Sequence, residues 1–399
     1  MKALRFSRNL PRFAAARVAG AVVPGRGATV GPLKLVDIDP PPLPGPEWVR
    51  VRPRLAGICG SDLATVDGTA SRYFESIVSF PFVPGHEVVG DLDDGTRVVI
   101  EPVLGCATRG IDPPCPACAR GDLGRCEHLT LGALEPGLQS GYCCDTGGGW
   151  STLMVAHPSQ LHAVPDDLPD EAAVMIEPTA CAVHAALAAG VTDGDVVAVL
   201  GAGTLGLLTI AALRRHTRPR TLLGAARYPV QRELAALLGA DLVVESGEWR
   251  RAVRRATGSF AVGDGAIERL TGGADVVVDC VGSAASIADA LAVVRPGGRV
   301  VLVGMPGTVS VDLTGLWHRE IALVGAYAYG TEHLADGSRV RTFDLAADLV
   351  RRADLGRLVS ATYPLEHHRE AIEHAAAAGP RGAVKIAFDL RDDKERDRL

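Results

Sequence analysis

From Pro169 onward the sequence alternates short, wholly apolar runs with Ala/Leu-rich stretches of helical period, and this constrains the fold more than any other feature. Strands are expected at 196–200, 221–225, 242–244, 274–280 and 299–303, with helices at 171–189, 204–215, 230–238 and 287–294. A strand that is apolar on both faces needs cover on both, and helices between strands supply it. The second half therefore reads as α/β, a doubly wound parallel sheet. The uncharged stretch 196–213 is long enough to suggest a membrane span, but its three glycines divide it into strand, turn and helix.

The turn after the first of these strands is Gly201, Ala202, Gly203, Thr204, Leu205, Gly206. A Gly-x-Gly-x-x-Gly pattern alone is weak evidence; between an apolar strand and a helix it points to a dinucleotide. Glycine lets the backbone approach a pyrophosphate, and the helix N-terminus offers free N–H groups and a positive dipole end. An NAD site usually places an acid about 20 residues further on, for the ribose 2′-hydroxyl. Here the second strand runs through Leu223, Gly224, Ala225 and Ala226 into Arg227, with no acid. Arg227 suits a 2′-phosphate, so NADP is favoured over NAD.

The first half carries short β segments at 2–6, 48–55, 87–92, 97–102 and 152–157, and residues 7–32 read as an irregular insertion. After Tyr329, helices at 342–352 and 365–378 and a strand at 383–388 are expected to fold back onto this half, with charged residues 391–399 frayed. Four of the nine cysteines, Cys106, Cys115, Cys118 and Cys126, crowd into a Gly/Pro-rich lobe, and arginines interrupt any export signal near the start. Thiols in a reducing compartment favour metal over disulfides. Four thiolates complete a tetrahedral Zn²⁺ and leave no open position, so this site reads as structural.

A second set is dispersed: Cys59 in the run 57–62, His86 and Glu87 in 84–90, and Glu177 before Pro178. Three mixed ligands would leave one position for water or substrate, although spacing alone does not join them. In this order, and together with the lobe and the Gly201 turn, these motifs resemble the zinc-containing medium-chain dehydrogenase/reductase family, from about Trp48 to Phe388.

The resemblance implies a GroES-like catalytic domain over residues 1–178 and 328–399, with the zinc lobe at 104–128, and a Rossmann domain over 179–327. It implies Cys59, His86 and Glu177 as ligands of a catalytic zinc, with Glu87 an outer or exchanging carboxylate. Ser61 is implied as the hydroxyl that takes the substrate proton, and Cys59, His86 and Ser61 as the catalytic group. The reaction implied is hydride transfer between an alcohol, polyol or sugar and NAD(P), aided by zinc as a Lewis acid.

Two departures stand out. The relay histidine common in the family's alcohol dehydrogenases is Ala64 here, as in sugar dehydrogenases, and the gap from Cys106 to Cys115 exceeds the usual two residues, which puts Cys106 in question. Trp150, Tyr73, Phe74 and Tyr329 are candidate pocket aromatics. The family also implies a homo-oligomer, dimer or tetramer, with 298–304 and 309–313 as the candidate contact. A net charge of -6 argues against nucleic acid; a cytoplasmic protein without membrane attachment is expected. The alternatives are a zinc-independent quinone or enoyl reductase of the same fold and a non-enzymatic zinc-binding interaction protein.

Overall fold

The computed structural model describes residues 1–264 and 268–391; the expected frayed tail lies almost wholly outside them. They form two compact units, Met1–Glu177 with Tyr329–Leu399, and Pro178–Ala328.

In the second unit, strands Leu242–Glu245, Thr221–Ala226, Val196–Leu200, Ala274–Asp279, Val294–Leu302 and Ala322–Gly325 lie side by side in that order, all parallel. Numbered along the chain the order is 3-2-1-4-5-6, the doubly wound arrangement whose ligand crevice opens between the first and fourth strands. Val197, Ala198, Val199, Val277 and Val278 are fully buried, as a strand covered on both faces requires. Val294–Leu302, which holds most of the first candidate contact run, is paired on both sides; the edges of this sheet are Leu242–Glu245 and Ala322–Gly325.

In the first unit a seven-stranded sheet runs Val359–Tyr363, Lys385–Asp389, Val49–Gly57, Val88–Leu92, Arg97–Ile100, Leu161–Ala163, with Met154–Ala156 also paired to Val49–Gly57. Only the first pair is parallel. Leu4, Phe6, Phe82, Trp150, Ile386 and Phe388 form its core.

The segment read as irregular is instead helical, Leu10–Val22 and Gly27–Val30. Its first helix starts at an Asn9 cap and packs only a narrow face, Ala16 and Gly20 buried, which is too small an apolar stripe for periodicity to reveal. The helix expected over 171–189 is broken into Asp170–Ala173 and Ile176–Ala188. Among the described residues no helix is long and apolar enough to cross a membrane.

Candidate active site and metal centres

Strand register closes the distance between Cys59 and His86. Ala56 pairs with Val88, and Gly57 N–H donates to Glu87 O at 2.8 Å, so the residues just beyond Gly57 meet those just before Val88. On the other side Ala387 pairs with Gly57 and Ile58 N–H donates to Ile386 O at 2.9 Å, which brings Lys385 to the same place. Cys59 then caps helix Gly60–Val66, its N–H donating to Asp62 Oδ2 at 3.0 Å. Three adjoining strand ends and one helix start thus share a corner.

One donor atom each from Cys59, His86 and Glu87 lies within 4.8 Å of the other two. Glu87 belongs to that tight group and Glu177 does not. The reason is local: Glu87 is carried with His86 by the strand register, whereas Tyr329 OH holds Glu177 Oε1 at 2.9 Å. Glu177 still feels the centre. Burial pushes its carboxyl up to about 7, His86 pulls it down and the like charge of Glu87 pushes it up again.

Burial alone would depress the His86 imidazole; Asp62, with Oδ1 3.5 Å from Nδ1, outweighs it and carries the ring well above its usual range. That separation is an ion-pair contact, too long for a good hydrogen bond, and His86 Nδ1 is buried without a hydrogen-bond partner. A buried set of one sulfur, one imidazole and one carboxylate is a fitting donor set for Zn²⁺ and leaves a position open.

Two residues at this corner escaped the sequence reading. Lys385 is 2% exposed, donates to Ile58 O at 3.1 Å and pairs with Glu87 Oε2. Burial pulls its ammonium down, but Glu87 and then Cys59 more than offset this and raise it. The pair leaves no room for a side chain opposite: a Cβ on Gly57 would sit 1.9 Å from Glu87 Oε2 and 2.8 Å from Lys385 Cε. Tyr142 OH donates to Asp62 Oδ1 at 3.1 Å, and the Thr65 hydroxyl lies 3.4 Å from the same oxygen. Neither residue has a local motif; each reaches the site only through the fold. Of the candidate pocket aromatics, Trp150 is core, fully buried with Nε1 on Gly57 O at 3.2 Å, and Tyr73 is 76% exposed.

The lobe gathers its four sulfurs within 4.8 Å. Cys106 Sγ is 3.8 Å from Cys126 Sγ despite the long gap. Burial raises the thiol of Cys118 and takes that of Cys126 up to about 11. At Cys115, N–H donors from Glu127 and Cys118 overcome burial and bring it down to about 6. Such a set ionises fully only around a cation, which is what a Cys₄ zinc site supplies. Arg109, 1% exposed, ties the lobe together by donating to the carbonyls of Leu104, Leu131, Leu134, Glu135 and Gly137.

In the second unit the glycine turn joins strand Val196–Leu200 to helix Thr204–His216, capped by Gly203. A Cβ on Gly206 would lie 1.8 Å from Gly201 O, so packing demands that glycine; one on Gly203 would meet no protein atom within 4 Å. The helix N-terminus, with Thr204 and Leu205 in its first turn, thus brings its positive dipole end to the crevice between the first and fourth strands. Arg227, exposed, follows strand Thr221–Ala226 and lies 5.8 Å over the Tyr228 ring.

Comparison with known proteins agrees on both halves. The profile of the alcohol dehydrogenase GroES-like domain matches residues 45–166, and that of the zinc-binding dehydrogenase matches 204–340. L-idonate 5-dehydrogenase of Vitis vinifera is 29% identical over 375 residues, covering 90% of this chain and 93% of its own. Sorbitol dehydrogenase of Arabidopsis thaliana is 29% identical over 373 residues, covering 88% and 90%. Among solved structures, an alcohol dehydrogenase of Thermus sp. ATN1 superposes with a TM-score of 0.70 at 26% identity, covering 98% of this chain and all of that one.

Proposed function

This chain belongs to the zinc-containing medium-chain dehydrogenase/reductase family, and from that premise we propose that it oxidises a secondary hydroxyl of a polyol or sugar with NADP⁺, and catalyses the reverse reduction. Its zinc-dependent, NAD(P)-linked action on alcohols follows from the family; the substrate class, the cofactor preference and the residue roles are our reading.

The observation that carries it is the convergence of Cys59, His86 and Glu87 on one corner. These three would hold the catalytic zinc, with Glu177 as the acid beside it. When bound, the metal supplies Lewis acidity that makes a hydroxyl easier to deprotonate, and the nicotinamide takes the hydride. Ser61 takes the hydroxyl proton at its Oγ. The Tyr142 hydroxyl, which feels Ser61 and bonds Thr65, would carry the proton onward in place of the relay histidine absent at Ala64. Asp62 orients His86 through Nδ1, and Lys385 fixes the Glu87 carboxylate. The four lobe cysteines would hold a second, structural zinc.

Gly201, Gly203, Thr204, Leu205 and Gly206 would receive the cofactor pyrophosphate. NADP is supported by Arg227 and by the absence of an acid at the end of its strand. A dimer or tetramer is supported by the open edge of Ala322–Gly325, and the cytoplasm by a lobe that needs reduced thiols. A zinc-independent reductase would have no use for the Cys59 corner, which disfavours that reading.

The test is a panel of polyols, sugars and simple alcohols with NADP⁺ and NAD⁺, with zinc counted on the same preparation. Two zincs per chain and the highest kcat/KM for a polyol with NADP⁺ are expected. A fully zinc-loaded protein that turns over simple alcohols but no polyol or sugar would refute the substrate class.

A further inference from the structure

The lobe carries one donor more than a tetrahedral site uses. His128, two residues past Cys126, has Nδ1 3.4 Å from Cys106 Sγ, while its backbone N–H donates to Cys126 Sγ at 3.4 Å. The ring is thus held against the cluster from two sides. Turning its nitrogen toward the centre needs a side-chain rotation and no movement of the chain.

Cys106 is the sulfur it faces, and Cys106 is the one of the four that stands farthest from its nearest partner along the chain. Cys115 and Cys118 share helix Pro116–Arg120, with the Cys118 N–H on Cys115 Sγ at 3.4 Å. Cys106 precedes a separate turn, Ala107–Arg109, and reaches the others through the Cys115 N–H at 3.3 Å. Charge acts in the same direction. Four thiolates around a dication leave a net charge of about −2 in a buried site. Arg109, close enough to feel Cys126 and Cys106, has its guanidinium committed to backbone carbonyls. Replacing one thiolate by a neutral imidazole removes a unit of negative charge, and Cys₃His is as ordinary a closed zinc set as Cys₄.

We propose that His128 is the fifth donor of the lobe's metal site. While Cys106 ligates, Nδ1–H bonds its thiolate. Where the Cys106 sulfur is lost, Nδ1 takes the fourth position, its proton then residing on Nε2. The lobe so has two closed states, Cys₄ and Cys₃His, and keeps its metal through loss of the Cys106 sulfur. This rests on reading the lobe as a zinc site.

The test uses the full chain as wild type, Cys106→Ala, His128→Ala and the double variant, each counted for zinc and then loaded with Co²⁺. Cys106→Ala should keep the wild-type metal count. Its sulfur-to-cobalt absorption should fall by about a quarter, one thiolate in four, and its visible bands should move to higher energy. The double variant should lose one metal per chain. Loss of one metal from Cys106→Ala alone, or its retention by the double variant, overturns the proposal. A wild type without lobe metal overturns the zinc reading itself. Should Cys106→Ala not fold, chelator-driven release decides: His128→Ala should give up lobe zinc at least about tenfold faster than wild type, and an unchanged rate counts against His128.

Discussion

The cysteine lobe and the reaction corner each gather a metal-ligand set, and they are built in opposite ways. The lobe's thiols lie between residues 106 and 126, joined by short turns and N–H···S bonds, with few apolar side chains beneath them. The corner draws on Cys59, His86, Glu87 and Lys385, brought together by three adjoining strands over the main core of that unit. A local set depends on its metal for shape; a set assembled by sheet register has its shape before any metal binds. Losing metal should therefore unfold the first and merely silence the second.

The largest effect tests the corner. Cys59→Ala removes one donor from a set of three and with it the Lewis acid, several kcal/mol of transition-state stabilisation. kcat/KM should fall by more than about a thousandfold. Thermal unfolding should stay within a few degrees of wild type, and NADPH binding, followed by fluorescence, should be unchanged. A large loss of stability would mean that the corner, too, needs its metal to hold together.

The same cut in the lobe should do the reverse. Cys118→Ala removes a sulfur that His128, placed against Cys106 and Cys126, is not positioned to replace, and loss of a structural metal belongs among the costly changes, about 4 kcal/mol or more. Chemical denaturation should show that loss, while the fraction still folded keeps kcat near wild type. Folded, stable protein with a reduced kcat would give the lobe a part in the chemistry.

The contrast also explains what could be read from sequence. The lobe was legible because its four residues are close in the chain and spacing alone carries the meaning. The parallel sheet was legible because burial on both faces writes itself as unbroken apolar runs, 196–200 and 276–278 among them. The corner was legible only by family resemblance, and even then incompletely. That Glu87 joins Cys59 and His86 in the tight group follows from the pairing of Ala56 with Val88, while Tyr329 holds Glu177, and neither leaves a local trace. Lys385 was hidden for the same reason: an apolar-flanked lysine near the end of a chain reads as a surface residue until the last strand is seen beside Gly57. Trp150 erred the other way, its aromatic bulk suggesting a pocket when it fills the core.

Lys385 sharpens the comparison at intermediate size. Lys385→Met keeps the length of the side chain and removes the charge, so Glu87 loses its buried partner while the strand stays packed. Outer partners of metal ligands typically matter by about 10–100-fold. Zinc affinity at the corner or kcat should drop by that much, with the lobe metal unaffected, and Lys385→Arg should recover most of it. Equal effects on both metals would show general destabilisation.

The smallest effect separates holding a ligand from moving a proton. Tyr142→Phe deletes one hydroxyl that donates to Asp62 Oδ1 at 3.1 Å and is itself bonded to Thr65. Asp62 keeps the Cys59 N–H on its other oxygen, so His86 should stay in place and zinc content should not change. One lost hydrogen bond to a buried carboxylate costs about 1–3 kcal/mol, and part of that will appear as a lower melting temperature. The informative quantity is kcat. If Tyr142 only braces Asp62, kcat should follow wild type once metal is saturating. If the Ser61 hydroxyl passes its proton toward Tyr142, kcat should fall by about tenfold at full zinc occupancy, and the solvent isotope effect on the alcohol oxidation should change with it. We expect the second result, because Ala64 stands in place of a relay histidine and the buried Tyr142 hydroxyl, which feels Ser61, is bonded to both Thr65 and Asp62.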